Sequence, residues 1–236
     1  MQRDEFMARV KQATAAGRAY QVALNPLATA DQSYVGGGVD PIATFLSEWR
    51  LVGGFGERVP NAEAVFEYLS QILSQHTVRT TLMWRHPVLE KLGVASWLQN
   101  RGIQVLHWDD VERMAAGERR DPTFAADFGI TGVDWAVAET GSLAVCARAG
   151  GRGRSVSLLP PLHVAILTPS QIVPDLFDLF RELGVEHQEH GLPSNVTLIT
   201  GPSKTGDIQL KLTTGVHGPG EVHAIVVEGL EGPPQQ

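Results

Sequence analysis

Cysteine is almost absent from this chain of 236 residues, which contains only Cys146. One thiol cannot form a disulfide within the chain. It also cannot supply the roughly four thiolates of an iron–sulfur cluster or a cysteine-rich zinc site. Cys146 lies in an apolar segment, where inert packing is more typical than thiolate chemistry. We therefore predict no metal site, and any electron-transfer cofactor should be non-covalent or belong to a partner.

Positive charge is also scarce. The 19 lysines and arginines are outnumbered by 26 acidic residues, which gives a formal net charge of −7. Proteins that bind along a phosphate backbone need a basic face. The composition therefore argues against nucleic acid as a partner.

Long apolar runs are missing as well. The longest candidate, Leu158–Leu167, is interrupted by two prolines and a histidine, and it falls short of the roughly 20 apolar residues that span a membrane. Residues 1–20 carry acidic side chains early and lack the apolar core of a signal peptide. We therefore expect a cytoplasmic protein without a membrane span.

The chain divides into an extension, a domain and a tail. Residues 1–40 form the N-terminal extension, with a helix over 1–17 and a loop over 25–40 that contains three consecutive glycines. Residues 41–230 carry the periodic apolar patterns of a folded domain. The tail 231–236 has nothing to bury, so we expect it to fray.

The domain alternates helix and strand patterns. Pro41 opens a helix, Asn61 caps another, and a strand–helix–strand unit follows over 78–106, which predicts a parallel sheet. Thr168 and Pro169 begin a predicted helix that ends at Gly184, although Pro174 could kink this helix or mark its real start. Further strands continue in the same style at Val133–Ala138, Ser142–Ala147, Leu162–Leu167, Val196–Thr200 and Glu221–Val227. The predicted fold class is α/β, with a mostly parallel central sheet flanked by helices and an N-terminal helical extension.

The first segment that could carry chemistry is the turn after the strand ending at Ala138. There Glu139, Thr140, Gly141 and Ser142 place a carboxylate, two hydroxyls and several turn amides together. Turn amides beside a glycine can bind a carboxylate or phosphate, and a desolvated glutamate can act as a base or nucleophile. The alternative is a tight hairpin with a solvated glutamate and a glycine at positive φ.

The second segment is Thr200–His217. Ser203 and Thr205 could cap a helix beside Lys204, which would form an anion site, and Asp207 could serve the helix dipole or act in catalysis. An ordinary capped turn explains the same residues. The candidate ligand groups here are Gly201, Ser203, Lys204 and Thr205.

The third segment contains His217 on a glycine- and proline-rich turn between a helix and a strand. Such a histidine can transfer a proton or bind an anion near neutral pH, although a surface turn would look the same. His163 and His223 have apolar strand neighbours, which favours structural histidines. We expect Glu139–Ser142, Ser203–Asp207 and His217 to meet at one cleft beside the strand ends.

Two further patterns, a pair of histidines and a basic glycine loop, are weaker signals of function. His187 and His190 flank Glu189 and could offer metal ligands, but their spacing does not match a zinc-binding helix. The basic glycine loop Ala149–Arg154 could act as a lid over a ligand, or it could be a mobile hairpin tip.

Four of these motifs stand in one order that resembles a known family. They are GITGVDWAVAETGSLAV at 129–145, LLPPLHVAIL at 158–167, GPSKTGDIQ at 201–209 and GVHGPGEVHAIVV at 215–227. In this order they resemble the lactate-utilisation protein C (LutC) family, also called the LUD-domain family. The resemblance covers roughly the last 110 residues strongly and the first 120 only in their helix-rich layout.

The resemblance implies a fold and a pathway. The implied fold is the NagB/RpiA/CoA-transferase-like fold, shared by ribose-phosphate isomerase, glucosamine-phosphate deaminase and CoA transferases. The implied function is that of a non-cluster subunit in a system that oxidises L-lactate to pyruvate with LutA-like and LutB-like iron–sulfur partners. Iron–sulfur clusters are then expected only in those partners, and this chain carries no cofactor.

Two other functions stay open. One is an independent enzyme of the sugar-phosphate isomerase or CoA-transferase class that uses Glu139. The other is a non-catalytic protein that binds a small carboxylate or phosphate or assists assembly. The sequence leaves open whether the chain catalyses a reaction alone and whether it forms a homo-oligomer.

Overall fold

The computed structural model describes residues 3–17, 36–206 and 212–230. The chain divides into two compact units, residues 1–34 and 35–236. The first unit contains helix α1 (Arg3–Gly17), which confirms the predicted leading helix. Residues 25–35 of the predicted loop and the predicted tail lie outside the described residues.

The second unit alternates short helices with strands. Its helices are α2 (Pro41–Leu51), α3 (Ala62–Gln75), α4 (Pro87–Leu92), α5 (Val94–Gln99), α6 (Trp108–Arg113), α7 (Arg120–Phe124), α8 (Ser155–Leu158) and α9 (Leu176–His190). Its strands are β1 (Phe55–Val59), β2 (Thr80–Met83), β3 (Gln104–His107), β4 (Phe128–Gly132), β5 (Trp135–Val137), β6 (Ser142–Ala147), β7 (Leu162–Leu167), β8 (Ile172–Val173), β9 (Asn195–Ile199), β10 (Lys204–Gly206), β11 (Leu212–Thr214) and β12 (Glu221–Val227).

The central sheet is parallel throughout. Its six strands run in the order β1-β12-β7-β4-β2-β3, and every neighbouring pair is parallel. All six residues of β7 are buried, because a parallel sheet is covered on both faces. The α/β class and the mostly parallel central sheet are therefore confirmed.

Helices α2 and α3 supply apolar side chains to two separate clusters of the core. On α3 the residues Val65, Leu69 and Ile72 pack with Val164 and Ile225. On α2 the side chains of Phe45, Leu46 and Trp49 pack with alternate residues of β7 and β12. The Asn61 side chain accepts a hydrogen bond from Ala64 N, which confirms the predicted cap of α3.

A second sheet corrects the expectation that the middle strands continue the parallel series. Strands β5, β6 and β9 pair antiparallel, and β8 adds to β5 in the order β8-β5-β6-β9. The turn from Ala138 to Gly141 is too short for a crossover helix, and parallel neighbours need one. Strand β6 is buried along its whole length like β7, which is why its apolar run did not distinguish the second sheet from the first.

The helix predicted from Thr168 is also corrected. Thr168 and Gln171 do form a capping box, but they cap a single 3-10 turn at Pro169–Gln171. Pro174 interrupts the helical pattern, so α9 starts at Leu176 with Asp175 as its cap, and it continues past Gly184 to His190.

No helix in the described parts of the chain is long and apolar enough to cross a membrane.

Gly129 provides a test of the central sheet. A Cβ at this position of β4 would overlap the carbonyl oxygen of Val156, whereas one at Gly184 of α9 would meet nothing within 4 Å. We expect Gly129→Ala to lower the free energy of unfolding by about 3 kcal/mol through overpacking. Gly184→Ala should raise it by about 1 kcal/mol through helix propensity. Urea unfolding of both variants checks this, and equal stabilities would contradict the packing.

Candidate functional site

The turn Glu139–Gly141 joins β5 to β6 as a tight hairpin. Gly141 has φ 57°, and its N–H donates to the Ala138 carbonyl at 3.4 Å. A Cβ on Gly141 would overlap the backbone of Trp49 in α2, so this turn packs directly on that helix. The backbone therefore requires glycine here for both its conformation and its close contact.

The side chains of this turn form a short hydroxyl chain. Thr140 Oγ1 lies 2.8 Å from Ser142 Oγ, which lies 2.8 Å from Thr200 Oγ1. The Glu139 side chain is half-buried, and its backbone N–H donates to the Pro174 carbonyl at 3.1 Å. This chain of hydroxyls brings the first candidate segment against the start of the second.

The second segment is a strand where a capped helix was expected. Lys204–Gly206 is β10 and pairs antiparallel with β11, so the argument from a helix N-terminus does not apply to Ser203 and Thr205. Gly201, at φ 79°, packs against the carbonyl of Val52 just past α2. The Lys204 ammonium donates to that same carbonyl while its side chain stays largely exposed. Asp207 lies outside the described residues.

The third segment touches the second through the backbone. Ser203 N donates to Pro219 O at 2.9 Å, and Gly215 N donates to Ser203 O at 3.0 Å. His217 lies on an exposed turn between Gly215 and Pro219. This turn follows strand β11, whereas the sequence predicted a helix before it. The three segments thus form a chain of neighbouring contacts, while a single cleft that contains all their side chains stays a prediction.

A cavity of about 340 Å³ opens beside the third segment. Each lining residue precedes or begins a central strand, so the cavity lies at the amino ends of β2, β4, β7 and β12. It is lined by His76, Thr77, Val78, Asp127, Pro161, Leu162, Gly220 and Glu221. Two carboxylates, Asp127 and Glu221, line this cavity, and no lysine or arginine lines it. The lining therefore disfavours an anionic ligand.

Glu221 connects the cavity to a buried hydrogen-bond network. Its Oε1 lies 3.1 Å from His76 Nε2 and 2.7 Å from His223 Nε2, and His223 Nδ1 lies 2.9 Å from the Tyr68 hydroxyl. Burial raises the pKa of Tyr68 to about 12, helped by the charge of Glu57. The phenol therefore donates to His223 Nδ1, and the His223 Nε2–H donates to Glu221.

Two opposing effects act on the pKa of Glu221 and on that of His223. Burial would raise the pKa of Glu221, but the hydrogen bond and charge of His223 outweigh it, and the pKa is lowered. Burial also lowers the pKa of His223, although Glu221 acts against this. The result is an ionised carboxylate that accepts from two imidazoles.

His163 is a structural histidine, as its sequence neighbours indicated. It is fully buried, and its Nε2 lies 2.9 Å from Thr131 Oγ1. Burial lowers its pKa to about 3, with a smaller contribution from His223. It is therefore neutral at physiological pH.

Sequence reasoning missed His76 and Glu221. His76 ends α3 and Glu221 begins β12, 145 residues later along the chain. No local motif contains both residues, and only the parallel order of the strands brings them together. The one signal in the sequence was the pair Gly220–Glu221 within the motif GVHGPGEVHAIVV at 215–227.

No group of three or more histidine, cysteine or carboxylate side chains is placed to hold a metal ion anywhere in residues 3–17, 36–206 and 212–230. Cys146 is fully buried, and burial raises its pKa well above the usual range. Its thiol is therefore unsuited to act as a thiolate ligand.

Comparison with known proteins identifies the family. The family model described as the LUD domain matches residues 42–227. The chain belongs to the LUD domain family. The match begins at Ile42 in α2 and ends at Val227, the last residue of β12, so this LUD domain contains all three sheets that the described residues form.

Several curated relatives of this LUD domain carry one name. The "Lactate utilization protein C" of Halalkalibacterium halodurans is 37% identical over 161 residues, which cover 68% of this chain and 67% of that protein. Proteins of the same name from Geobacillus and Macrococcus caseolyticus are 33% and 35% identical over 68% and 69% of this chain, and 67% of each relative is covered.

A solved structure supports the fold alone. A DUF162 family protein from Deinococcus radiodurans superimposes with a TM-score of 0.56 at 24% identity. The alignment covers 79% of this chain and 95% of that one.

The buried histidines predict acid sensitivity. The pKa of His163 and that of His86 are lowered to about 3. Below pH 6.5 the unfolded chain protonates these residues and the folded chain does not, so the free energy of unfolding falls as the pH decreases from 6.5 toward 3. Each histidine contributes a slope of up to about 1.4 kcal/mol per pH unit.

Urea unfolding between pH 7.5 and 5 measures this slope. His163→Gln should reduce it, while the same change at His187, which is exposed on α9, should leave it unchanged. An unaltered slope in the His163 variant would show that this histidine is not the source.

Lys204 offers a separate test of its contact with Val52. We expect Lys204→Ala to lower the free energy of unfolding by about 0.5–1 kcal/mol, because it removes a cation from the C-terminal end of α2. Lys204→Arg should restore most of the stability. Unchanged stability together with weaker phosphate binding by calorimetry would instead support the anion-binding role predicted from the sequence.

Proposed function

We propose that this LUD domain protein takes part in lactate utilisation as a component that carries no iron–sulfur cluster. The observation that carries the proposal is the family match together with the 37% identical relative named lactate utilization protein C. The match spans the three sheets of the described residues and the turns that hold the candidate residues.

The partners in this proposal are iron–sulfur proteins of the LutA and LutB types. Oxidation of L-lactate to pyruvate releases two electrons, which need an acceptor outside the amino-acid side chains. The single cysteine is buried in β6 and cannot hold a cluster. A division of labour, in which partners hold the clusters and this chain acts in the cytoplasm beside them, accounts for these features.

The proposed ligand class is a small carboxylate. Lactate and pyruvate both carry this group, and proteins recognise it by cationic and N–H donors in partly buried sites. The acidic cavity at the amino ends of the strands does not supply such donors. The carboxyl ends of the central strands do.

A growth experiment tests the pathway. Deletion of the gene should slow or abolish growth on L-lactate as the sole carbon source and leave growth on glucose unchanged, and the wild-type gene should restore growth on lactate. Normal growth of the deletion strain on lactate would contradict the proposal.

The purified chain tests the division of labour. Alone, it should show no visible iron–sulfur absorbance and no lactate-dependent reduction of a dye. Dye reduction by the isolated chain with L-lactate would assign the whole oxidation to this chain and overturn the proposed role.

A further inference from the structure

The carboxyl ends of β2 and β4 form the point where the order of the central sheet reverses. From β2 the chain crosses to β3 on one side, and from β4 it crosses to β7 on the other. In open α/β sheets this reversal leaves a crevice outside the carboxyl ends, which is the usual place for a ligand. The crevice lies at the edge opposite the cavity that contains Glu221.

His86 lies at this end of the sheet, shortly after β2. Its ring lies against Gly132, the last residue of β4, where a Cβ would overlap the imidazole. The residue is only 3% exposed. Glycine at the end of β4 therefore provides the space that the histidine occupies.

The imidazole of His86 presents an N–H donor without a protein partner. Its Nδ1 accepts from Val88 N at 3.4 Å, which puts the ring proton on Nε2. No residue of the described ranges accepts a hydrogen bond from Nε2. Nε2 is not among the buried side-chain atoms that lack a partner, so part of it reaches solvent, and a ligand oxygen could accept from it in place of water.

A cation lies beside this donor. Gly151 O accepts a hydrogen bond from Arg85 N at 3.3 Å, so the segments that carry Arg152 and His86 lie side by side. Burial lowers the pKa of His86 to about 3, and the charge of Arg152 adds to this effect. His86 is therefore a neutral donor at physiological pH.

Asp134 holds the Arg152 guanidinium in place. Its Oδ1 lies 2.9 Å from Arg152 Nη1, and its Oδ2 accepts from Cys146 N at 2.7 Å. Within the described ranges no residue accepts from Arg152 Nε or Nη2. The guanidinium is thus fixed by one carboxylate and keeps donors for a second, and its side chain is 23% exposed.

We infer that the crevice between the carboxyl ends of β2 and β4 binds a small carboxylate, which accepts hydrogen bonds from His86 Nε2 and from the Arg152 guanidinium. This inference deepens the proposed function and rests on it for the choice of lactate as the ligand. The loop Ala149–Arg154 packs at this end of the sheet, because Gly151 lies against Arg85, just after β2, and Gly153 lies against Trp108, just after β3.

Calorimetric titration of the full chain with L-lactate, pyruvate and acetate tests the site. All three share the carboxylate and should bind saturably. His86→Phe keeps a ring against Gly132 and removes the N–H, so it should weaken L-lactate binding about 10-fold or more. Arg152→Lys keeps the charge that faces Asp134 but loses the planar fork, and it should weaken binding as well.

Arg154→Gln is the matched control, since Arg154 is an exposed arginine of the same loop. It should bind L-lactate like the wild type. Thermal unfolding of each variant separates lost binding from lost structure. Unchanged affinity in both His86→Phe and Arg152→Lys, or no saturable binding of any of the three acids by the wild type, would overturn the inference. Either result would leave the growth test of the proposed function unaffected.

Discussion

The parallel central sheet is covered on both faces, and this constraint decides where chemistry can occur. The strands in its middle bury nearly every side chain, so polar groups that meet a ligand must lie at the strand ends. The two ends differ in charge. The amino ends surround a cavity with two carboxylates and no lysine or arginine, and the carboxyl ends at the reversal of the strand order hold a neutral histidine beside an arginine.

Contacts between helix α2 and two tight turns stabilise the structure at the amino ends of the central strands. Gly141 and Gly201 both approach backbone atoms at or just beyond the C-terminal half of α2, and Lys204 donates to the carbonyl of Val52. These contacts tie the second sheet to the helix that packs on the first. Packing therefore explains much of the sequence pattern at these turns, while the ligand roles of their side chains stay proposals.

The strands with continuous apolar runs could be predicted from the sequence, because a strand that is buried on both faces has apolar residues at nearly every position. Ser142–Ala147, Leu162–Leu167 and Glu221–Val227 have the predicted bounds. It missed β1, whose FGERV sequence is mostly exposed, and β4, which contains two glycines. The contact of His76 with Glu221 and that of His86 with Gly132 could not be predicted, because each depends on strand order and joins distant residues.

The amino and carboxyl ends of the central strands differ chemically, and backbone amide NMR with L-lactate tests this difference most directly. Addition of L-lactate to the full chain should shift the amide signals of His86, Gly132 and Arg152 and leave those of Gly220 and Glu221 in place. Shifts confined to Gly220 and Glu221, or no shift at either edge, would contradict a carboxylate site at the carboxyl ends of the central strands.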